Sequence, residues 1–211
     1  MFTKKILFII LIINFNFVYA GVKINHWVTS EGSKVYFVKT DHLPILDITV
    51  SFKAGSARDN SSNNGVSSLT NHLMLMGSNG INEVDLANKF SDIGAQLGSG
   101  FDRDKSSFSL RTLKENQEQA IELFKLVLHK PNFNKAIMDR EKKKYLASIR
   151  QGETEPATIG SKAFMKTLYG DHPYGLPMSG TVDTIEKITS SQLEEFYENF
   201  YLSNQAAIVI V

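Results

Sequence analysis

Apolar and polar positions along the chain fall into segments with two different periods. Val22 to Val28, Lys34 to Lys39 and Ile45 to Lys53 read as strands, the third partly alternating and rich in β-branched residues. Glu31-Gly32-Ser33 supplies a hairpin turn between the first two. Gly65 to Gly77 reads as one buried helix with a glycine stop. Leu69, Leu73 and Met76 form an apolar stripe on it, and Ser68, Asn71, His72 and Leu75 form a second stripe alongside. A polar line on an otherwise apolar helix needs partners, because unpaired polar groups are costly to bury. Metal ligation is one way to satisfy it.

Beyond this helix the pattern continues. Glu83 to Ile93 carries Val84, Leu86, Ala87, Phe90 and Ile93 at its apolar positions and stops at Gly94. Gln96 to Phe101 and Ser106 to Leu113 read as paired strands around Asp102-Arg103-Asp104-Lys105. Asn116 to Leu128 is amphipathic, with Ala120, Phe124 and Val127 on one face. Lys135 to Gln151 is a long charged helix, and its run Lys142-Lys143-Lys144 reads as a solvated face. A helix with proline in its first turn runs from Pro156 to about Tyr169. Ser190 to Phe200 is a helix with Ser190 as its expected N-cap, and Ala206 to Val211 is an apolar strand that meets the end of the chain with no turn after it.

Composition narrows the class. The 211 residues with 42% hydrophobic content suffice for one domain with a core, and a formal charge of +1 points to no nucleic acid. No cysteine is present, which excludes a disulfide framework and a thiolate zinc site. Lys4 and Lys5 precede an apolar run from Ile6 to Val18, and Val18-Tyr19-Ala20 is a small-x-small site. Residues 1–20 therefore read as a signal peptide cut after Ala20, with the periplasm as the expected destination. The apolar run is well short of the ~20 residues that span a bilayer, so no stable membrane span is expected.

The polar-striped helix resembles the zinc helix of the pitrilysin/insulinase metallopeptidases, whose inverted motif is His-x-x-Glu-His: two zinc-ligating histidines and a glutamate base. Laid on this chain, the motif falls at Ser68, Asn71 and His72. The passage from Ile93-Gly94-Ala95 through Ser107-Phe108-Ser109-Leu110 resembles the family's helix-glycine-strand-strand passage, and Tyr169-Gly170-Asp171-His172-Pro173-Tyr174-Gly175 matches a family loop almost letter for letter. In the family a glutamate of the long charged helix is the third zinc ligand; its position here is Ser148. Glu141 lies on the same helix face two turns earlier, about 10 Å along the axis, and is not expected to replace that ligand.

What the resemblance implies is an α+β unit, one mainly antiparallel sheet with helices over one face. Residues 21–188 form the peptidase-family N-terminal domain, and 189–211 close the first half and enter a second domain. Ser68, Asn71 and Ser148 are neutral where the family needs two ligands and a base, so no metal and no catalytic residue is expected in this chain. His72 reads as a half-buried histidine bonded to Ser68, Asn71 or a neighbouring strand; its rival role is a surviving ligand completed by His26, His42 or a partner chain. The implied function is a non-catalytic subunit that pairs with an active zinc-peptidase homologue and helps enclose a peptide held by β-strand addition. The alternatives are an active zinc endopeptidase with an atypical site, and a purely structural or binding homologue.

Overall fold

The computed structural model describes residues 22–40 and 42–211; the expected signal peptide lies outside the described residues. Strands β1 (Ile24–Val28), β2 (Lys34–Val38) and β3 (Ile45–Phe52) open the fold, and helix α1 (Val66–Leu73) follows the polar loop after β3. A two-stranded ribbon, β4 (Gly77–Ser78) and β5 (Ile81–Asn82), leads into α2 (Glu83–Asp92). The hairpin β6 (Gln96–Phe101) and β7 (Ser106–Leu113) precedes α3 (Gln117–His129), α4 (Lys135–Gly152), α5 (Pro156–Tyr169), α6 (Val182–Lys187) and α7 (Ser190–Phe200). Strand β8 (Ala207–Ile210) completes the order.

The main sheet runs β1-β2-β8-β3-β7-β6, with β1 and β6 at its edges. Every pairing is antiparallel except β2 with β8. The strand expected from Ala206 is β8, hydrogen-bonded between β2 and β3. With α7 it follows residue 188, and both pack into the same sheet and core.

Period-two burial decides which face takes the helices. Ile48, Val50 and Phe52 of β3 and Phe108 and Leu110 of β7 point into the core, while Thr49, Ser51, Ser107 and Ser109 alternate onto the other face. An Arg111–Asp47 pair bridges β7 and β3 on that polar face at 2.7 Å. Leu69 and Leu73 of α1, Phe124 and Val127 of α3 and Leu193 of α7 cover the core face. The fold is the α+β arrangement that the resemblance implied.

Two local expectations are corrected. The helix expected over Gly65 to Gly77 ends at Leu73; Leu75 and Met76 form i→i−3 bonds to His72 and Leu73, and the chain then turns so that Gly77 can pair in β4. The N-cap of α7 is Thr189, whose hydroxyl accepts from Gln192 N–H in a capping box, one residue before the expected Ser190.

Gly65 starts α1 at φ +97°, and an added Cβ there would lie 2.5 Å from Ile185 Cδ1 and 3.1 Å from the Ser179 carbonyl. Gly80, at φ +81°, has nothing within 4 Å of such a Cβ. Both positions carry the left-handed penalty for an L-residue, but only Gly65 adds a clash. Gly80→Ala is expected to cost about 1 kcal/mol. Gly65→Ala should cost about 2–4 kcal/mol. Equilibrium urea melts of the two variants measure the difference.

Candidate functional site

Helix α1 is buried on nearly all sides: Val66, Ser67, Ser68, Leu69, Thr70, Asn71 and Leu73 are buried. Its first turn has no side-chain N-cap, since Gly65 holds that position. Asp59 caps it from the preceding loop instead. The carboxylate accepts from Gly65 N–H (2.8 Å), Ser67 N–H (3.2 Å) and Ser67 Oγ–H (2.9 Å). Burial pushes the Asp59 carboxyl up to about 6, against the pull of those three bonds.

The polar stripe faces α4 and the β6–β7 edge. Ser68 Oγ lies 2.6 Å from Tyr145 Oη of α4. Asn71 Nδ2 donates to Ser106 Oγ at 2.6 Å and to the Gly100 carbonyl of β6 at 3.4 Å. Ser106 Oγ also accepts from buried Tyr201 at 2.9 Å. His72 Nε2 meets Glu141 Oε2 of α4 at 2.9 Å; the His72 side chain is 34% exposed and that of Glu141 is 3% exposed. His72 is therefore half-buried as expected, but its partner is Glu141 on α4 rather than Ser68, Asn71 or a strand.

Glu141 is the partner of His72 that sequence reasoning missed. It stands two turns from Ser148 along α4, yet that is the level at which α4 crosses His72. Arg140 Nε and Lys144 Nζ each donate to its other oxygen at 2.8 Å, and Arg140 reaches on to Glu83 of α2. Burial opposes the charge on Glu141, but the bonds from Lys144, His72 and Arg140 outweigh it and hold the carboxyl down to about 2. The lysine run is likewise not simply solvated. Lys142 Nζ donates to the carbonyls of Glu186 and Ile188 at the end of α6, and Lys144 serves Glu141.

Ser148 is exposed and does not join the other three positions. It lines a cavity of about 810 Å³ between the end of α4, α5 and the loop Gly175–Gly180. Arg103, Tyr145, Lys162 and Met165 share that lining. His172 packs its loop as a structural residue: its Nδ1 accepts from Tyr174 N–H, and its ring stands 4.9 Å from that of Tyr174. His26 sits on the opposite sheet edge, stacked on Tyr36. Among the described residues, no three or more His, Cys, Asp or Glu side chains gather as a metal-binding group, so neither His26 nor His42 completes a set with His72. Ser68, Asn71, His72 and Ser148 as placed do not fit a zinc ion: Ser68, Asn71 and Ser148 are neutral hydroxyl or amide groups, and Ser148 stands apart from the other three.

A polar-striped helix held between a mainly antiparallel sheet and a long charged helix is the arrangement that the family resemblance implied. The chain belongs to the insulinase family, Peptidase family M16, which it matches over residues 34–182, and it corresponds to the N-terminal half of that family. A zinc protease of Bacillus subtilis (strain 168), YmxG, described as uncharacterized, is 20% identical over 187 residues, covering 89% of this chain and 46% of that protein. The YmxG of Helicobacter pylori (strain 26695), described as a non-peptidase homolog, is 21% identical over 207 residues, 98% of this chain and 48% of that protein. Mitochondrial-processing peptidase subunit beta of Saccharomyces cerevisiae is 21% identical over 186 residues, 85% of this chain and 40% of that protein. A solved structure described as a peptidase M16 inactive domain, from Pseudomonas fluorescens, superposes with a TM-score of 0.87 at 34% identity, covering 90% of this chain and 46% of that one. The chain thus spans about half the length of the relatives it matches.

The Glu141 cluster gives the site a pH signature. Its folded pKa of about 2 lies below the ordinary 4.5, so its stabilisation is fully present above 4.5 and is lost as pH falls towards 2. Asp59 runs the other way, since a carboxyl raised from 3.8 to about 6 makes the fold gain stability on acidification through that interval. Glu141→Gln is expected to cost about 1.5–3 kcal/mol at pH 7, the scale of hydrogen bonds to a charged group. The gap from wild type should close as pH drops from 4.5 towards 2, where the wild-type carboxyl itself takes up a proton. Urea melts of both proteins across that range read the gap directly.

Proposed function

We propose that this chain is a non-catalytic M16 subunit that pairs with an active zinc-peptidase homologue and helps enclose and hold peptide substrates. One observation carries the reading: each polar group of α1 that corresponds to the family's ligands and base is engaged by a protein partner. Ser68 has Tyr145, Asn71 has Ser106, and His72 has Glu141. The relatives described as a non-peptidase homolog and an inactive domain support the same role. The Saccharomyces cerevisiae relative is a subunit, which supports a multi-subunit assembly. The N-terminal stretch supports export to the periplasm, and the lengths of the relatives support a two-half organisation.

The grip on peptide is assigned to β6. It is an edge strand, it lies beside α1, and its Gly100 carbonyl is tied to Asn71. Gly98, Ser99 and Gly100 leave little side-chain bulk along it, so a peptide backbone can approach its free hydrogen-bonding groups. Such a grip reads main chain before side chain.

Two measurements test this. The purified chain should hydrolyse no peptide, and a chelator should change nothing; chelator-sensitive cleavage by the chain alone would restore it to the active enzymes. Co-expression with an intact His-x-x-Glu-His homologue should yield a stable complex; a chain that captures no such homologue is a structural or binding protein instead. Within the complex, N-methylation of alternate peptide residues should weaken peptide binding at least about tenfold, because each lost strand bond removes about 1 kcal/mol and several are lost together.

A further inference from the structure

We propose that Tyr145 is a partition that fills the family's metal position, so that restoring the lost ligands does not by itself restore a metal site. The proposal rests on the reading that α1 and α4 carry that position. Ser68 and His72 lie one turn apart on the same face of α1, about 6 Å along its axis. Tyr145 reaches both. Its hydroxyl is 2.6 Å from Ser68 Oγ and also donates to the Ser68 carbonyl at 3.5 Å, and its ring stands 5.6 Å from the His72 ring at 49°. An ion ligated from positions 68 and 72 would sit about 2 Å from each donor atom, in the space that the tyrosine ring and hydroxyl fill.

The lining of the large cavity supports the same division. Tyr145 and Ser148 are both in its wall, whereas Ser68, Asn71 and His72 are not. The three positions that a metal would join are therefore split between a packed helix interface and an open cavity, with Tyr145 between them. A glutamate placed at 148 would extend from the cavity side. On the other side, His72 Nε2 is already engaged by Glu141, and drawing it towards an ion would strip one bond from a carboxylate that is 3% exposed. In this chain a Ser68–Tyr145 bond and a His72–Glu141 bond tie α1 to α4, the cross-link that shared metal ligands would otherwise provide.

The test compares two variants of the full chain, each titrated with zinc alone and assayed for bound metal after equilibrium dialysis. Ser68→His with Ser148→Glu supplies two histidines and a glutamate but keeps Tyr145; it should hold far less than one zinc per chain. Adding Tyr145→Ala should give about one zinc per chain, with affinity at least about 100-fold higher, beyond the usual effect of disturbing a supporting group. Stoichiometric zinc on the variant that keeps Tyr145 overturns the partition and leaves the placement of the site standing. Failure of both to bind zinc, with circular dichroism showing both folded, overturns the placement itself. Where the triple variant does not fold, Tyr145→Phe in the otherwise unchanged chain decides: it keeps the ring and loses the bond to Ser68. A lowered melting temperature is expected, and an unchanged one removes the hydroxyl's role.

Discussion

Burial of α1 is the constraint from which the rest follows. The helix is covered by the sheet, α7 and α4, so each polar atom it carries must find a partner inside the protein. Leu69, Leu73 and Val66 hold it in place by apolar contact, whatever its polar face does. The polar face then sets what its neighbours must be. Ser68 selects a hydroxyl on α4, Asn71 selects an acceptor at the β6–β7 edge, and His72 selects a carboxylate. The cluster at Glu141 extends this logic outward, because a buried carboxylate is tolerable only with several donors around it, and Arg140, Lys144 and His72 supply them.

Much of the fold was legible in the sequence because it is written in local chemistry. Period-two alternation marks β3 and β7, the glycine after Ile93 marks the end of α2, and proline at 156 marks the start of α5. The family resemblance supplied the order of these elements. What local chemistry could not show was how far α1 runs before the β4–β5 ribbon claims Gly77, since that depends on a pairing made after the helix. The cap of α7 was missed by one residue because Thr189 and Ser190 are both good N-caps, and the choice turned on which one has Gln192 three residues later.

The site was legible in its absences and not in its replacements. The family resemblance singled out Ser68, Asn71, His72 and Ser148, and their side chains are neutral or isolated. Glu141 was measured against Ser148 along one helix axis, where two turns look distant. Across the helix pair the relevant level is that of His72, and there Glu141 is in reach. Tyr145 occupies an apolar position of α4, which suits its ring; nothing along the chain showed that its hydroxyl would meet Ser68, 77 residues away. A tyrosine at an apolar helix position facing a serine-bearing stripe is the signal that was available.

These replacements behave as a set. A hydroxyl at 68 leaves room for a tyrosine at 145, and that tyrosine satisfies the hydroxyl. An amide at 71 can donate to Ser106 and the Gly100 carbonyl, where a carboxylate would place an acceptor against a carbonyl in a buried interface. The present arrangement is thus one self-consistent packing, and a metal-bearing helix of the family type would be another. Intermediates between the two are costly: a bulky ring at 68 would press on Tyr145, and a carboxylate at 71 would set its oxygen against the Gly100 carbonyl that Asn71 now serves. The apolar stripe keeps the helix seated, and the polar stripe needs only to be paired.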